Sequence, residues 1–422
     1  MSPKDPPRVV KPNREQITLV ATDLNSAVAD DHPVRAIWAL VLKLDLDAYY
    51  DEIGSRGSGA GRPATDPAVL LTLWLFATSE GVGSARQLEE LCERDALYRW
   101  ICGGVSVNHH TLSDFRVKHG PKLDALLTQV LAALMSQGVV TLKRVAQDGM
   151  RVRASAGKSS FRRQQTLERC RTEASEQVRT LRKELADDPA ASTKRLTAER
   201  ERAAQARLKA IEAALAQIPI IEEQRDEQEK KHRKRPSGEI RVSTTDPESR
   251  VMKMANGGFN PAYNVQLATD ESGVIVGADV TNTGSDQPTA MPMLEDIERR
   301  TGKVPSEYLL DGGFVSEENL VALAQKGAVP YAPVPEPQKA AIDRFAPKPD
   351  DPAEVAQWRE RMGTPEGKEV YGHRGRLAER TNADLKEHRG LTHFNVRGLV
   401  KVKSVVLLAA LTFNVLRMLA LT

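Results

Sequence analysis

The chain has 422 residues, enough for two or three domains with cores of their own. Charged residues make up 28% of it and the formal net charge is +3, so basicity is not global and any affinity for nucleic acid must be local. Cys92, Cys102 and Cys170 form an odd set without a C-x-x-C pair, which fits a reducing compartment and argues against a structural zinc site.

Residues 1–30 are polar and Pro-rich, without the apolar core of a signal peptide, and read as a flexible arm. Asp31 and Pro33 then offer an N-cap and a first-turn proline to a helix carrying Val34, Ile37, Trp38, Leu40, Val41 and Leu44. Helical patterning continues to residue 138. A loop at 54–66 holds Arg56 and Arg62, and Asp66-Pro67 starts a strongly apolar helix through Leu70, Leu71, Leu73, Leu75 and Phe76. The stretches GVGSARQLEELCERD and VNHHTLSDFRVKHG predict short helices with tight turns, compatible with a helix-turn-helix reader of the major groove. His109 and His110 are adjacent, so on a helix they point about 100° apart and make poor joint metal ligands.

At 139–147 the pattern changes to VVTLKRVAQ, β-branched and alternating, which predicts a strand ending in Asp148-Gly149. Residues 158–235 are poor in aromatics. There Leu167, Ala174, Val178, Leu181 and Leu185, then Ala204, Leu208, Ile211, Leu215 and Ile218, recur at three and four residues on either side of Asp187-Asp188-Pro189. That predicts an antiparallel helical hairpin over 158–241 with a basic end, KKHRKRPSG. Strand character returns at Val242, and strands follow at 263–269 and 274–281 with a hairpin at 270–273, then a helix at 291–301. A strand at 306–310 delivers Asp311-Gly312-Gly313, where glycines permit close approach. A helix at 316–326, a strand at 328–332 and a Pro-rich insertion at 333–368 with a short helix near 353–361 complete this region.

Residues 376–389 can run as a helix ended by Gly390, placing Arg376, Glu379, Asn382, Ala383 and Lys386 on one stripe. Alone, such a stripe is an ordinary solvated face. The apolar run 405–421 is interrupted by Asn414 and Arg417 and is short for a bilayer span of about 20 residues, so it reads as a buried carboxy-terminal helix, with no membrane role.

The Glu379-x6-Lys386 spacing, followed by HRGL, VRGL and a long apolar helix, resembles the last catalytic segment of DDE-type insertion-sequence transposases. VNHHTLSDFR, DGMRVRASAG, GGFNPAYNVQLATD and LLDGGFVSEENL are similar to earlier segments of that family, in the same order. The resemblance implies an α+β chain. A helical amino-terminal, DNA-binding domain (31–138) would precede an RNase H-like mixed β-sheet domain flanked by helices (139–157 and 242–422), interrupted by the helical-hairpin insertion. It also implies that Asp148, Asp311 and Glu379 are the catalytic carboxylates and hold two Mg²⁺ ions roughly 3.5 to 4 Å apart, with Mn²⁺ as a possible substitute. Lys386, Arg376, Arg389, Asn382, Arg397 and Arg116 would face DNA. The implied partners are double-stranded DNA, as element inverted repeats and target, and a second copy of the chain, in the cytoplasm at the nucleoid.

Tyr371 and Arg374 stand ahead of Glu379, but Glu379 comes one residue later than the family spacing, and Glu387, about 80° round the helix, is a rival third carboxylate. A non-catalytic DNA-binding derivative and a metal-dependent nuclease without strand transfer are the alternative functions.

Overall fold

Apolar periodicity shapes the first third of the chain into seven helices among the described residues: α1 (Pro33–Val41), α2 (Asp47–Asp51), α3 (Pro67–Ser79), α4 (Ala85–Arg94), α5 (Ala96–Cys102), α6 (His109–Lys118) and α7 (Gly120–Ser136). The computed structural model describes residues 23–56, 63–187, 191–232, 238–337 and 343–421. Most of the expected arm at 1–30, Arg62, the break at 188–190 and the basic cluster at 233–237 lie outside them. Side-chain caps start α3 to α6: Asp66, Ser84, Asp95 and Asn108 each accept from a backbone N–H of the first turn. For α1 the cap is His32 rather than the expected Asp31, because His32 Nδ1 accepts from the Val34 N–H at 3.2 Å and Asp31 lies one residue outside. In α3 every residue from Pro67 to Thr78 is buried, as a helix apolar on all sides requires, and it forms the centre of the helical layer.

The remaining elements are β1 (Arg144–Arg153), β2 (Phe161–Arg163), α8 (Gln164–Asp187), α9 (Ala191–His232), β3 (Arg241–Ser243), β4 (Arg250–Lys253), β5 (Phe259–Asp270), β6 (Ile275–Thr281), α10 (Ala290–Thr301), β7 (Glu307–Leu309), α11 (Glu317–Gln325), β8 (Val329–Tyr331), α12 (Ala353–Gly363), α13 (Pro365–Arg374), α14 (Arg380–Glu387) and α15 (Leu399–Leu421). β1 is central in the main sheet: antiparallel to β5 on one side, parallel to β7 on the other, with β8 parallel beyond β7. The far edge of β5 is shared by β4 and β6, both antiparallel to it. With helices packed about this mixed sheet, the architecture is α+β and RNase H-like, preceded by the helical region.

Several strands differ from expectation: β2 and β4 fall outside the expected strands, and β5 begins at Phe259, not at 263. β1 begins at Arg144, not at 139, and continues through Arg153, so Asp148-Gly149 sits mid-strand instead of at a strand end. The alternation in MRVR carries the ladder past the glycine, pairing Met150 with Val265 and Val152 with Tyr263.

Helices α8 and α9 pack against each other, with β2 and β3 paired at their root. Leu167 and Ala174 share a cluster with Ile211, Ala214 and Ile218, while Val178 and Leu181 share one with Ala204, the order of contacts that an antiparallel pair gives.

α15 is long and apolar enough to cross a membrane, but here it packs against α3, α6, α7 and β6. Asn414, a polar break in its apolar run, is accounted for by the edge of the sheet: its Nδ2 donates to Ile275 O and its Oδ1 accepts from the Ile275 N–H, both at 2.8 Å. Replacing Asn414 by Leu leaves a buried N–H and a buried C=O without partners, and is expected to cost about 2–4 kcal/mol. Chemical denaturation of the purified variant checks this; an unchanged midpoint would contradict it.

Candidate active site

Alternation along β1 puts Ala146 and Asp148 on one face. Ala146 clusters there with Leu309 of β7 and with Leu377 and Ala378, so the segment from α13 to α14 lies across the sheet at Asp148. That segment starts earlier than the expected residue 376. Thr364 accepts from the Gly367 N–H, Pro365 occupies the first turn, and the chain runs helically from there to Glu387.

The segment contains one π turn, Gly375–Glu379. A π turn closes i→i+5 hydrogen bonds, so it takes up one residue more than an α turn and brings residues five apart onto one face. Arg374 and Glu379 are such a pair, with Arg374 Nη1 3.6 Å from Glu379 Oε1. The extra residue between Arg374 and Glu379 in the sequence is thereby absorbed, and the acid returns to the side of the arginine.

Arg374 reaches two further acids. Its Nη2 donates to Asp148 Oδ1 at 3.0 Å and lies 3.6 Å from Asp311 Oδ2. Three carboxylates from three separate elements thus surround one guanidinium. Asp148, 16% exposed, also accepts from Asn382 Nδ2 through Oδ2 at 2.9 Å. Burial pushes its carboxyl above the ordinary aspartate range; Arg374 opposes this, and the charges of Asp311 and Asp286 add to it. Asp311 follows β7 and is oriented by the Gly313 N–H, which donates to its Oδ1 at 2.7 Å. Glu379 is the outermost of the three, 69% exposed. Arg374 bridges to these three acids and not to Glu387, an exposed residue closing α14.

Lys386 is half-buried beside this site. Burial lowers its pKa, the charge of Asp148 acts to raise it, and Arg151 lowers it further. Arg376 is exposed. Arg397, also exposed, donates from Nε to Ser155 O at 3.3 Å.

Three residues expected to face DNA are otherwise engaged. Arg116 is buried, its guanidinium 4.1 Å over the Trp74 ring and its Nη1 donating to Gly83 O at 2.7 Å; desolvation pulls its pKa down to about 10. It is a core cation and offers no surface to a phosphate. Arg389 pairs with Asp384 at 3.1 Å and donates to Ser79 O, tying the end of α14 to the helical region. Asn382 is turned inward onto Asp148.

Asp286 and its donors were not apparent from the sequence reading. Asp286, in the loop after β6, accepts from Asn264, Gln266 and Arg151. The available signal was the polar pair Asn264 and Gln266 at alternating positions of an otherwise apolar strand. In the sheet they stand opposite Arg151 and Gly149, on one face.

Among the described residues, no three Asp, Glu, His or Cys side chains are gathered tightly enough to ligate a metal as they stand. What the acids share is a cation, the Arg374 guanidinium, enclosed by oxygens of the hard type that Mg²⁺ and Mn²⁺ prefer.

Residues 22–118, covering α1 to α6, match the family model described as Transposase domain (DUF772). Residues 345–419, which include α12, α13, the π turn, α14 and most of α15, match the model described as Transposase DDE domain. No curated protein and no solved structure gave a match. The two matches stand at either end of the chain, the second containing Arg374, Glu379, Asn382 and Lys386, and together they support a DDE-type insertion-sequence transposase.

Proposed function

We propose that this transposase binds the ends of its element, cuts the DNA there and joins the freed 3′ hydroxyls to target DNA by in-line phosphodiester displacement. The observation that carries the reading is the convergence of Asp148, Asp311 and Glu379, from β1, the end of β7 and the π turn, on one cation.

Asp148, Asp311 and Glu379 would hold divalent metal, Mg²⁺ with Mn²⁺ as a substitute, once Arg374 withdraws from among them. The metal, when bound, supplies activation of the attacking water or 3′ hydroxyl and stabilisation of the leaving oxygen. Asn382 keeps the Asp148 carboxylate aimed during that exchange through its 2.9 Å hydrogen bond. Lys386 and Arg376 would neutralise phosphate charge next to the acids. In each displacement one P–O bond forms to the attacking oxygen and one breaks to the leaving oxygen. The protein contributes orientation and charge, with no covalent enzyme intermediate. Double-stranded DNA is the partner, and a homodimer would hold two element ends together. Such a protein would work in the cytoplasm, at the nucleoid.

The test is Mg²⁺-dependent cleavage and joining of DNA carrying the sequences that flank the gene. Asp148→Ala, Asp311→Ala and Glu379→Ala are each expected to lower cleavage by more than about a hundredfold while DNA binding persists, with Glu387→Ala near wild type. Cleavage retained by Glu379→Ala would overturn the third assignment. Nicking without joined products would point to a nuclease, and binding without any cleavage to a non-catalytic derivative.

A second prediction concerns Arg374. Removing the shared counter-ion leaves three acids facing one another, so metal-free Arg374→Gln is expected to melt below wild type by about 2–4 °C, on the order of 1 kcal/mol. Added Mn²⁺ is expected to raise its midpoint by more than it raises that of wild type. Equal metal-free melting midpoints would contradict the role assigned to the guanidinium.

A further inference from the structure

We propose that Asp286 is a positioning residue of the same site, a fourth acid that acts on Asp148 and Asp311 from the opposite face of the sheet. The inference rests on the metal-dependent reading above. Asp148 looks toward α13 and α14, while its neighbour Gly149 faces the other way, with Gln266 opposite it in β5. Asp286 lies on that second face, nearly buried, between β6 and α10.

Its carboxylate is held at both oxygens. Oδ1 accepts from Gln266 Nε2 at 2.7 Å, Asn264 Nδ2 at 2.8 Å and Arg151 Nη1 at 3.2 Å. Oδ2 accepts from Arg151 Nη2 at 2.9 Å. Bonds of this number fix a carboxylate in place.

The glycine beside Asp148 makes room for it, and the glycine two residues after Asp311 lies in ordinary contact with it. A Cβ at Gly149 would stand 2.3 Å from Asp286 Oδ1 and 2.4 Å from Gln266 Nε2. A Cβ at Gly313 would stand 3.0 Å from Asp311 Oδ1 and 3.6 Å from Asp286 Oδ2. The Asp148-Gly149 segment therefore closes directly on this carboxylate, and the Asp311-Gly312-Gly313 segment passes in contact with it, so one acid adjoins the backbone near both aspartates. Its charge is also felt at Asp148 through the sheet. A fixed negative charge behind two metal-holding acids strengthens cation binding through Coulomb attraction.

The test is binding of Mn²⁺ to the metal-free full chain, without DNA, by isothermal titration, with circular dichroism as the check on fold. Asp286→Asn is expected to keep the fold and bind Mn²⁺ at least about tenfold more weakly than wild type. Asp311→Asn serves as the reference. If Asp311→Asn weakens Mn²⁺ binding and Asp286→Asn does not, the proposal is overturned while the site stands. If Asp311→Asn binds as tightly as wild type, the site reading itself fails, and the proposal with it. Should Asp286→Asn not fold, Asp286→Ser takes its place with the same expectation. Loss of fold in both would leave Asp286 a purely structural group and overturn the proposal.

Discussion

The contact on which the candidate site depends is the one between the Arg374 guanidinium and three carboxylates that are far apart in sequence. Asp148 and Asp311 come from neighbouring parallel strands, and Glu379 from a helix laid across them. Like charges at this separation repel, and in a partly buried setting the repulsion is weakly screened. A cation among them is therefore a condition for the acids to gather. The protein supplies its own in Arg374, and in the function proposed here divalent metal takes that place. The π turn belongs to the same constraint, because along an uninterrupted α-helix Arg374 and Glu379, five residues apart, would leave on different sides.

The sheet can hold these acids in register because its surroundings are tied at several points. Asn414 of α15 caps the edge of β6 at Ile275, and α15 also packs on α3, α6 and α7 of the helical region. Arg300, buried at the end of α10, pairs with Asp296 and with Asp124 of α7. Arg389 reaches from beyond α14 to Ser79 of α3. These ties join the helical region to both the sheet and the helix that bears Glu379. In the function proposed here, with one region gripping DNA and the other cutting it, such ties would keep the two aligned, since displacement by about 1 Å at the reacting atoms costs orders of magnitude in rate.

Much of this was legible in the residues. Apolar alternation located β5 and β6 and their hairpin, and Asp311-Gly312-Gly313 followed a strand as expected. Three- and four-residue periodicity gave the packed faces of α8 and α9. What local pattern could not give was partner identity across the fold. Arg116 looks like a surface cation at the end of a short helix, yet Trp74 and the Gly83 carbonyl, both distant in sequence, enclose it. Asn382 shares a stripe with Lys386, but only the position of β1 shows that it serves Asp148. Asp286 sits in a loop whose sequence, GSDQPT, reads as a turn, and its role depends on Asn264, Gln266 and Arg151 coming from two other strands. The late placement of Glu379 was visible in the sequence, whereas its resolution by a π turn required the backbone.

The most direct measurement of the central claim is anomalous diffraction at the manganese edge from crystals of the protein soaked in Mn²⁺. The account predicts a peak bounded by the carboxylates of Asp148, Asp311 and Glu379, with the Arg374 side chain turned away from them. A peak elsewhere, or Arg374 still seated among the three acids at saturating Mn²⁺, would contradict it.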